Sequence, residues 1–417
     1  MLSHLNIAWL LLLLSPFTAH SEAPITRNNS HIDELKVNAN LQLNEVLAKT
    51  ILRNPMQATL QALESTINAK QLTAKSMLPS SPAISLGHQN DKLGTGRGER
   101  EWQADLEIPV WLPSQRDKRL KVADATQLNV SANRESLKLR VAGLLRDAVW
   151  DISMNENHVV LAKNKLSVAK KLLLDVEKRY QAGEMAKTDA MLAQQETLRA
   201  EKEQLRAEAE LMHAKNRYYL LTGLREIPAS FEEKQSSLED YSQSSIWTEA
   251  QSKLNLAETE RNLAQVESRE NLQVLFNIRS TQGAFDSMSN ESVGVKVRIP
   301  FGGEARAAPI KAAAELGVGN ALSEQEALRN VLETMMHEAE HNLHVSQAEL
   351  AIAGKQYEIA NESIRLAEKS FQLGESDLVS LLRVKALTYE AERAFTTRKI
   401  QVQWDIARYN QAVGVLP

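Results

Sequence analysis

Two copies of one pattern, 191 residues apart, constrain this chain more than any other feature. Ile108-Pro109 falls on Ile299-Pro300, Glu177-Lys178 on Glu368-Lys369, and Gln181-x-Gly183-Glu184 on Gln372-x-Gly374-Glu375. Ala200-Glu201 meets Ala391-Glu392, Arg217-Tyr218 meets Arg408-Tyr409, and Gly223 meets Gly414. A single offset that holds from Ile108 to Gly223 without a net gap is an internal duplication, so the fold must use one unit twice. The repeats run over about 41–227 and 232–417 and join near Pro228.

Each unit reads as mostly helical. No proline occurs from Ser114 to Ile227 or from Ile310 to Leu416, so helix breakers are confined to the segments before these stretches. Val159, Ala162, Leu166, Ala169, Leu173, Val176 and Tyr180 alternate spacings of three and four. Leu350, Ala353, Tyr357, Ala360, Ile364, Ala367 and Phe371 do the same at the same offset. Apolar residues every 3.5 positions form a stripe that stays in register only against another helix. Long helices over 114–182 and 305–373 would each be roughly 100 Å long at ~1.5 Å per residue. Each turns at Gly183 or Gly374 into a second helix, 186–223 or 376–413, because glycine accepts the positive φ of a helix C-terminus. Shorter helices, about 41–77 and 245–270, open the repeats.

Between the opening and long helices the period changes to two. Trp102-Gln-Ala104-Asp-Leu106-Glu-Ile108 alternates apolar and polar, and Val293-Gly-Val295-Lys-Val297-Arg-Ile299 repeats it in phase. Ile84-Ser-Leu86-Gly-His88 and Val274-Leu-Phe276-Asn-Ile278 precede them, out of phase by one residue under the rigid offset. The loops 91–99 and 280–291 are rich in Gly, Ser, Thr and Asp, as hairpin tips are. Hairpins are thus expected over 82–110 and 273–300, four strands in all.

Residues 1–21 read as a secretory signal: Ile7 to Leu14 is an unbroken apolar run, and Ala19 and Ser21 suit cleavage before Glu22. Residues 22–40 form an N-terminal extension. Beyond Glu22 no apolar stretch approaches the ~20 residues of a transmembrane helix, so membrane entry would require a barrel. Four strands cannot close one, since about eight is the practical minimum. An oligomer that pools them can, with Gln103, Asp105 and Glu107 of one hairpin and Lys296 and Arg298 of the other lining the lumen. The chain has no cysteine, which excludes a disulfide framework or a thiolate site. A net charge of −4 over 417 residues argues against nucleic acid as a partner.

Two motifs point to other chemistry. His337-Glu-Ala-Glu-His341 matches H-E-x-x-H, and His344 extends it, so three imidazoles share a helix face at metal-ligand spacing. The motif lies inside an uninterrupted helix, and the first repeat carries Arg146, Trp150 and Ser153 at the equivalent positions. A peptidase is therefore not expected, and the three histidines stand only as a weak metal site. Gly94-x-Gly96-x-Gly98 with Arg97 and Arg100 suggests a phosphate loop but leads into a strand, which makes it a hairpin tip. No nucleotide site or cofactor is expected, and the chain is not expected to be an enzyme.

The order signal, helix, β-hairpin, long helix, Gly turn, helix, duplicated, resembles the TolC-type outer-membrane efflux proteins. The more specific marks are Arg179-Tyr180-Gln-Ala-Gly183-Glu184-Met-Ala-Lys-Thr188-Asp189, its echo Ser370-Phe371-Gln-Leu-Gly374-Glu375, and the Ile-Pro strand ends. The Gly-Glu turns and Trp111-Leu-Pro-Ser-Gln-Arg116 are similar to the CzcC-like heavy-metal branch. The resemblance implies a homotrimer with a shared 12-stranded barrel in outer-membrane lipid and an α-barrel crossing the periplasm. It also implies a periplasmic adaptor and an inner-membrane pump as partners. The adaptor would dock on the tip residues Gly183, Glu184, Met185, Gly374, Glu375 and Ser376. Family tunnels can be latched by an aspartate at the position of Asp189, bonded to a Tyr and an Arg where this chain has Phe371 and Ser376. Phe cannot donate a hydrogen bond and Ser carries no charge, so a gate held by other contacts is expected, with Asp377, Glu184 or Glu375 as candidate charges. The alternative is a periplasmic coiled-coil or adaptor protein without a barrel, which leaves the amphipathic strands unexplained.

Overall fold

Heptad seams and period-two segments recur in the computed structural model, which describes residues 35–417. The signal over 1–21 and most of the 22–40 extension lie outside the described residues. The chain runs β1 (Lys36–Asn38), α1 (Leu43–Arg53), α2 (Met56–Lys75), β2 (Ala83–Asn90), β3 (Arg100–Val110), α3 (Gln115–Gln181) and α4 (Lys187–Thr222). It continues through β4 (Glu226–Pro228), α5 (Ser245–Glu267), β5 (Leu272–Gln282), β6 (Asn290–Arg298), α6 (Glu304–Gln372) and α7 (Leu378–Ala412). The fold is mainly α with a small β part. No helix among the described residues is long and apolar enough to cross a membrane.

The long helices α3 and α6, 67 and 69 residues, each fold back on a shorter helix to make an antiparallel coiled-coil hairpin. On α3 the seam is buried at Val159, Ala162, Leu166, Ala169 and Val176. The largest core lies midway along the hairpins. There Leu145, Val149, Trp150 and Ile152 of α3 meet Leu43, Val46 and Leu60 of the opening helices and Tyr218 of α4. Alanine at fully buried positions, such as Ala200 and Ala407, lets helices pack tightly without a deep core.

Three expectations need correction. The first opening helix, expected over 41–77, is two helices, because Asn54 before Pro55 is driven to extended backbone (ψ 129°) and its Oδ1 accepts the Met56 N–H at 2.9 Å. The strands number six among the described residues, not four: β1 pairs in parallel with β4 and ties the N-terminal extension to the joint between repeats. Pro309 lies inside α6, where it costs the helix one early backbone bond. The one-residue slip between hairpins is real. Ile84 pairs with Leu106, whereas Val297, the equivalent of Leu106, pairs with Val274 rather than Leu275.

Candidate functional site

The two hairpins merge into one four-stranded antiparallel sheet in the order β2-β3-β5-β6. Directly paired residues share a face. Rows such as Ser85–Asp105–Asn277–Gly294 and Ala83–Glu107–Leu275–Lys296 therefore define a polar face, and Ile84–Leu106–Phe276–Val295 an apolar one. Gln103, Asp105, Glu107, Lys296 and Arg298, expected from separate segments, all lie on the polar face. Gln103 Nε2 donates to Asp105 Oδ2 at 2.6 Å, and Arg298 donates to Gln273 at 3.3 Å. The apolar face is bare, with Leu86 81%, Val293 79% and Val295 61% exposed. Strands β2 and β6 form the two sheet edges, and neither pairs further among the described residues.

Glutamines, tryptophan and arginines near the strand roots hold the sheet on the helices. Gln115 is buried, bonding Glu267 at 3.2 Å and accepting from Asn271 at 2.7 Å, while Asn271 also bonds the Val110 carbonyl. Trp111 Nε1 reaches the Met77 carbonyl at 2.9 Å, and Arg116 donates to the carbonyls of Ala74 and Lys75 at the end of α2. The Trp111–Arg116 motif thus braces the root of the first hairpin, with Ser114 in left-handed backbone (φ 62°) to turn the chain into α3.

At the opposite end, both helix turns close in the same way. Gly183 (φ 78°) and Gly374 (φ 76°) are left-handed, and the Glu184 and Glu375 N–H groups reach back to Arg179 and Ser370 carbonyls at 2.9 Å. Glu184 and Glu375 are exposed, while Met185 is half-buried. Behind the turns Val176, Ala193, Phe371, Leu378 and Leu381 form an apolar cluster. The Asp189 carboxylate accepts the Ala186 N–H at 3.2 Å, and Asp377 accepts the Ser380 N–H at 2.8 Å, so each tethers a helix N-terminus. Hydrogen bonds from the Ser380 side chain and backbone hold the Asp377 carboxyl below the usual aspartate range. Phe371 is buried beneath Arg179, whose guanidinium carbon sits 5.1 Å from the ring centre. Ser376 Oγ is buried and has no hydrogen-bond partner among the described residues.

His337, His341 and His344 are exposed on α6, with the first two rings 6.3 Å apart and nearly parallel. Among the described residues no three His, Cys, Asp or Glu side chains come together as a metal-binding group. The equivalent Arg146 is buried in the first repeat, because the 228–244 linker and the C-terminus cover that part of α3. It donates to Glu233 at 2.7 Å, to Gln411 at 2.6 Å and to the Val415 carbonyl at 2.9 Å.

One cluster had no signal in the sequence. A cleft of about 310 Å³ opens between the two coiled coils, walled by His158 and Leu161 of α3, Glu203 and Arg206 of α4, and Tyr389 and Arg393 of α7. Lys165 reaches Glu203 at 2.6 Å, and Tyr389 Oη donates to the same carboxylate at 2.7 Å. Burial raises the Glu203 carboxyl, but hydrogen bonds from Lys165 and Tyr389 outweigh it and hold it low. Burial, then Arg393, lowers His158. These residues occupy flanking positions of the heptads, where polar side chains are ordinary, so only their convergence marks them.

Duplicated coiled-coil hairpins below a sheet of two merged β-hairpins define the protomer fold of TolC-type outer-membrane channels, and this chain has that fold. It is similar to the outer membrane protein VceC of Vibrio cholerae at 14% identity and TM-score 0.72, covering 89% of this chain and 96% of that one. It is similar to CusC at 13% identity and TM-score 0.72, over 94% and 96% of the two chains. The open state of the MtrE outer membrane channel of Neisseria gonorrhoeae gives 15% identity and TM-score 0.68, over 90% and 89%. No family model matches the chain, and no curated protein matches it in sequence.

Proposed function

We propose that the protein is the outer-membrane duct of a tripartite efflux system, passively exporting substrates as a homotrimer with a periplasmic adaptor and an inner-membrane pump. The observation that carries this reading is the sheet. A four-stranded sheet with one bare apolar face and two open edges is unstable in water, but it is a third of a closed barrel in lipid. Pairing β6 of one protomer with β2 of the next gives twelve strands, above the minimum for closure. The strands, 8 to 11 residues long, suit a tilted bilayer crossing. Gln103, Asp105, Glu107, Lys296 and Arg298 then line the lumen with both signs of charge. The similar structures support the same reading: VceC is an outer membrane protein, MtrE an outer membrane channel, and CusC undergoes transmembrane channel formation. A coiled-coil adaptor without a barrel would leave the apolar face uncovered.

The turn residues Gly183, Glu184, Met185, Gly374, Glu375 and Ser376 form the adaptor-docking tip, since tight turns expose only a few side chains for a partner to read. The gate is held by packing around Phe371, with Asp189 and Asp377 as helix caps. Asp189→Ala is then expected to leave single-channel conductance in planar bilayers unchanged, and a large rise would restore an aspartate latch. The Trp111–Arg116 resemblance favours heavy-metal cations as substrate. Fractionation tests the duct itself: the protein should appear in the outer membrane as an SDS-resistant, heat-dissociable trimer that conducts ions. A soluble periplasmic species without conductance would overturn the reading.

A further inference from the structure

The cleft between the coiled coils lies where the two repeats part company. At the 191-residue offset His158 and Ala207 become Glu349 and Arg398, which pair across α6 and α7 at 3.0 Å. An imidazole and an alanine cannot make that ion pair, and about 310 Å³ is left between α3, α4 and α7. Other polar lining is also written once: Glu203 becomes Ala394 and Arg206 becomes Thr397. The second repeat packs its helices without this set, so helix pairing does not require it.

The charges in the cleft do not cancel. Glu203 is taken up by Lys165 at 2.6 Å and by Tyr389 Oη at 2.7 Å. Arg206 of α4 and Arg393 of α7 line the same cleft, and neither guanidinium has an ion pair or hydrogen bond among the described residues. Against these two cations stands only the Glu210 carboxylate, so the lining is net positive. Burial and then the Arg393 charge hold the His158 imidazole below its usual range, which leaves it neutral at neutral pH with one N–H to donate. The remaining wall is apolar, from Leu161 and Ala162 of α3, Ala207 of α4 and the Tyr389 ring. The volume is at the small end of ligand sites, which run from ~300 to 1,000 Å³, so it admits one ring or a short branched chain.

We infer that this cleft binds a small organic carboxylate, with its apolar body against Leu161, Ala162 and Ala207 and its carboxylate held by Arg206 and Arg393. A guanidinium offers a planar fork of N–H donors that matches a carboxylate. The two arginines belong to different coiled coils, so the bound anion ties α4 to α7 beside the Glu203–Tyr389 bond. The two guanidiniums repel a cation, and a phosphate would satisfy them but leave the apolar wall unused. The site is complete within one protomer and does not depend on the trimeric channel reading.

Calorimetric titration of the full-length protein in detergent with sodium benzoate, at fixed ionic strength, tests the site. Benzoate should bind saturably at one site per chain. Benzyl alcohol, the same ring without the charge, and inorganic phosphate, the charge without the ring, should each bind about tenfold more weakly or worse. Arg206→Gln and Arg393→Gln should each weaken benzoate by about tenfold or more, the loss of a charge-assisted hydrogen bond. Ala207→Leu should abolish binding by filling the cleft with both arginines in place. Arg383→Gln, at an exposed position of α7 outside the cleft, should bind as the parent does. Melting followed by circular dichroism checks each fold, and if Ala207→Leu misfolds the two glutamine variants still decide. No saturable benzoate binding, or parental affinity in both glutamine variants, would overturn the site. Phosphate or benzyl alcohol binding as tightly as benzoate would overturn the carboxylate assignment.

Discussion

Arg146→Met is expected to destabilise the protein by about 3–5 kcal/mol, read as a shift in its urea or thermal unfolding. Arg146 lies in the middle of α3 with 2% of its side chain exposed, and its Glu233 partner is 12% exposed. The guanidinium satisfies the Glu233 carboxylate through two nitrogens at 2.7 Å and also feeds Gln411 and the Val415 carbonyl. Removing it leaves a carboxylate and two acceptors buried without their donor, which is the costly way to break a buried pair. Asn410 still donates to Glu233 at 3.1 Å, which softens the loss without replacing the charge. Adding Glu233→Met should recover much of the stability, because two apolar side chains of similar volume bury no unpaired charge. A single substitution costing under about 1 kcal/mol, or a double variant no better than the single, would mean the pair is solvated in the native protein.

Val295→Arg is expected to abolish outer-membrane assembly, while Lys296→Gln, one residue along the same strand, should leave assembly intact and change only ion selectivity. Val295 ends the apolar row Ile84–Leu106–Phe276–Val295 across all four strands, and Lys296 belongs to the polar row through Glu107. In a barrel the first row meets lipid and the second meets water. An arginine on the lipid face near the bilayer midplane costs about 2–4 kcal/mol, and a trimer would carry three. The measurement is the fraction of protein found as heat-dissociable trimer in outer-membrane fractions, with reversal potential for the lumen variant. Equal assembly of the two variants would show that the sheet does not face lipid.

The architecture was readable from the sequence because it rests on local periodicity. The 3-4 spacing from Val159 to Tyr180 specifies a helix with one buried stripe wherever it sits, and the alternation from Trp102 to Ile108 specifies a two-faced strand. Gly183 and Gly374 mark turns because only glycine adopts their left-handed backbone without strain. Even the polar sheet face could be assembled on paper, since period two assigns Asp105 and Lys296 their side of the strand once pairing is given.

What lay beyond the sequence were contacts between segments far apart in the chain. Nothing near Asp189 or Asp377 says whether its carboxylate latches a neighbouring helix or caps its own, and only the closed turns settle that each carboxylate is taken up by a backbone N–H. The joining of β3 to β5, the tie of β1 to β4, and the cleft at Glu203 and Tyr389 depend on how whole helices are brought side by side. The duplication itself was determined by sequence alone. The tertiary structure decided that its two copies do not share one environment: α3 is covered at Arg146 by the linker and C-terminus, while α6 is bare at His337. A repeated pattern dictates equivalent surfaces, but which of them finds a partner within the chain is set by which segments reach it.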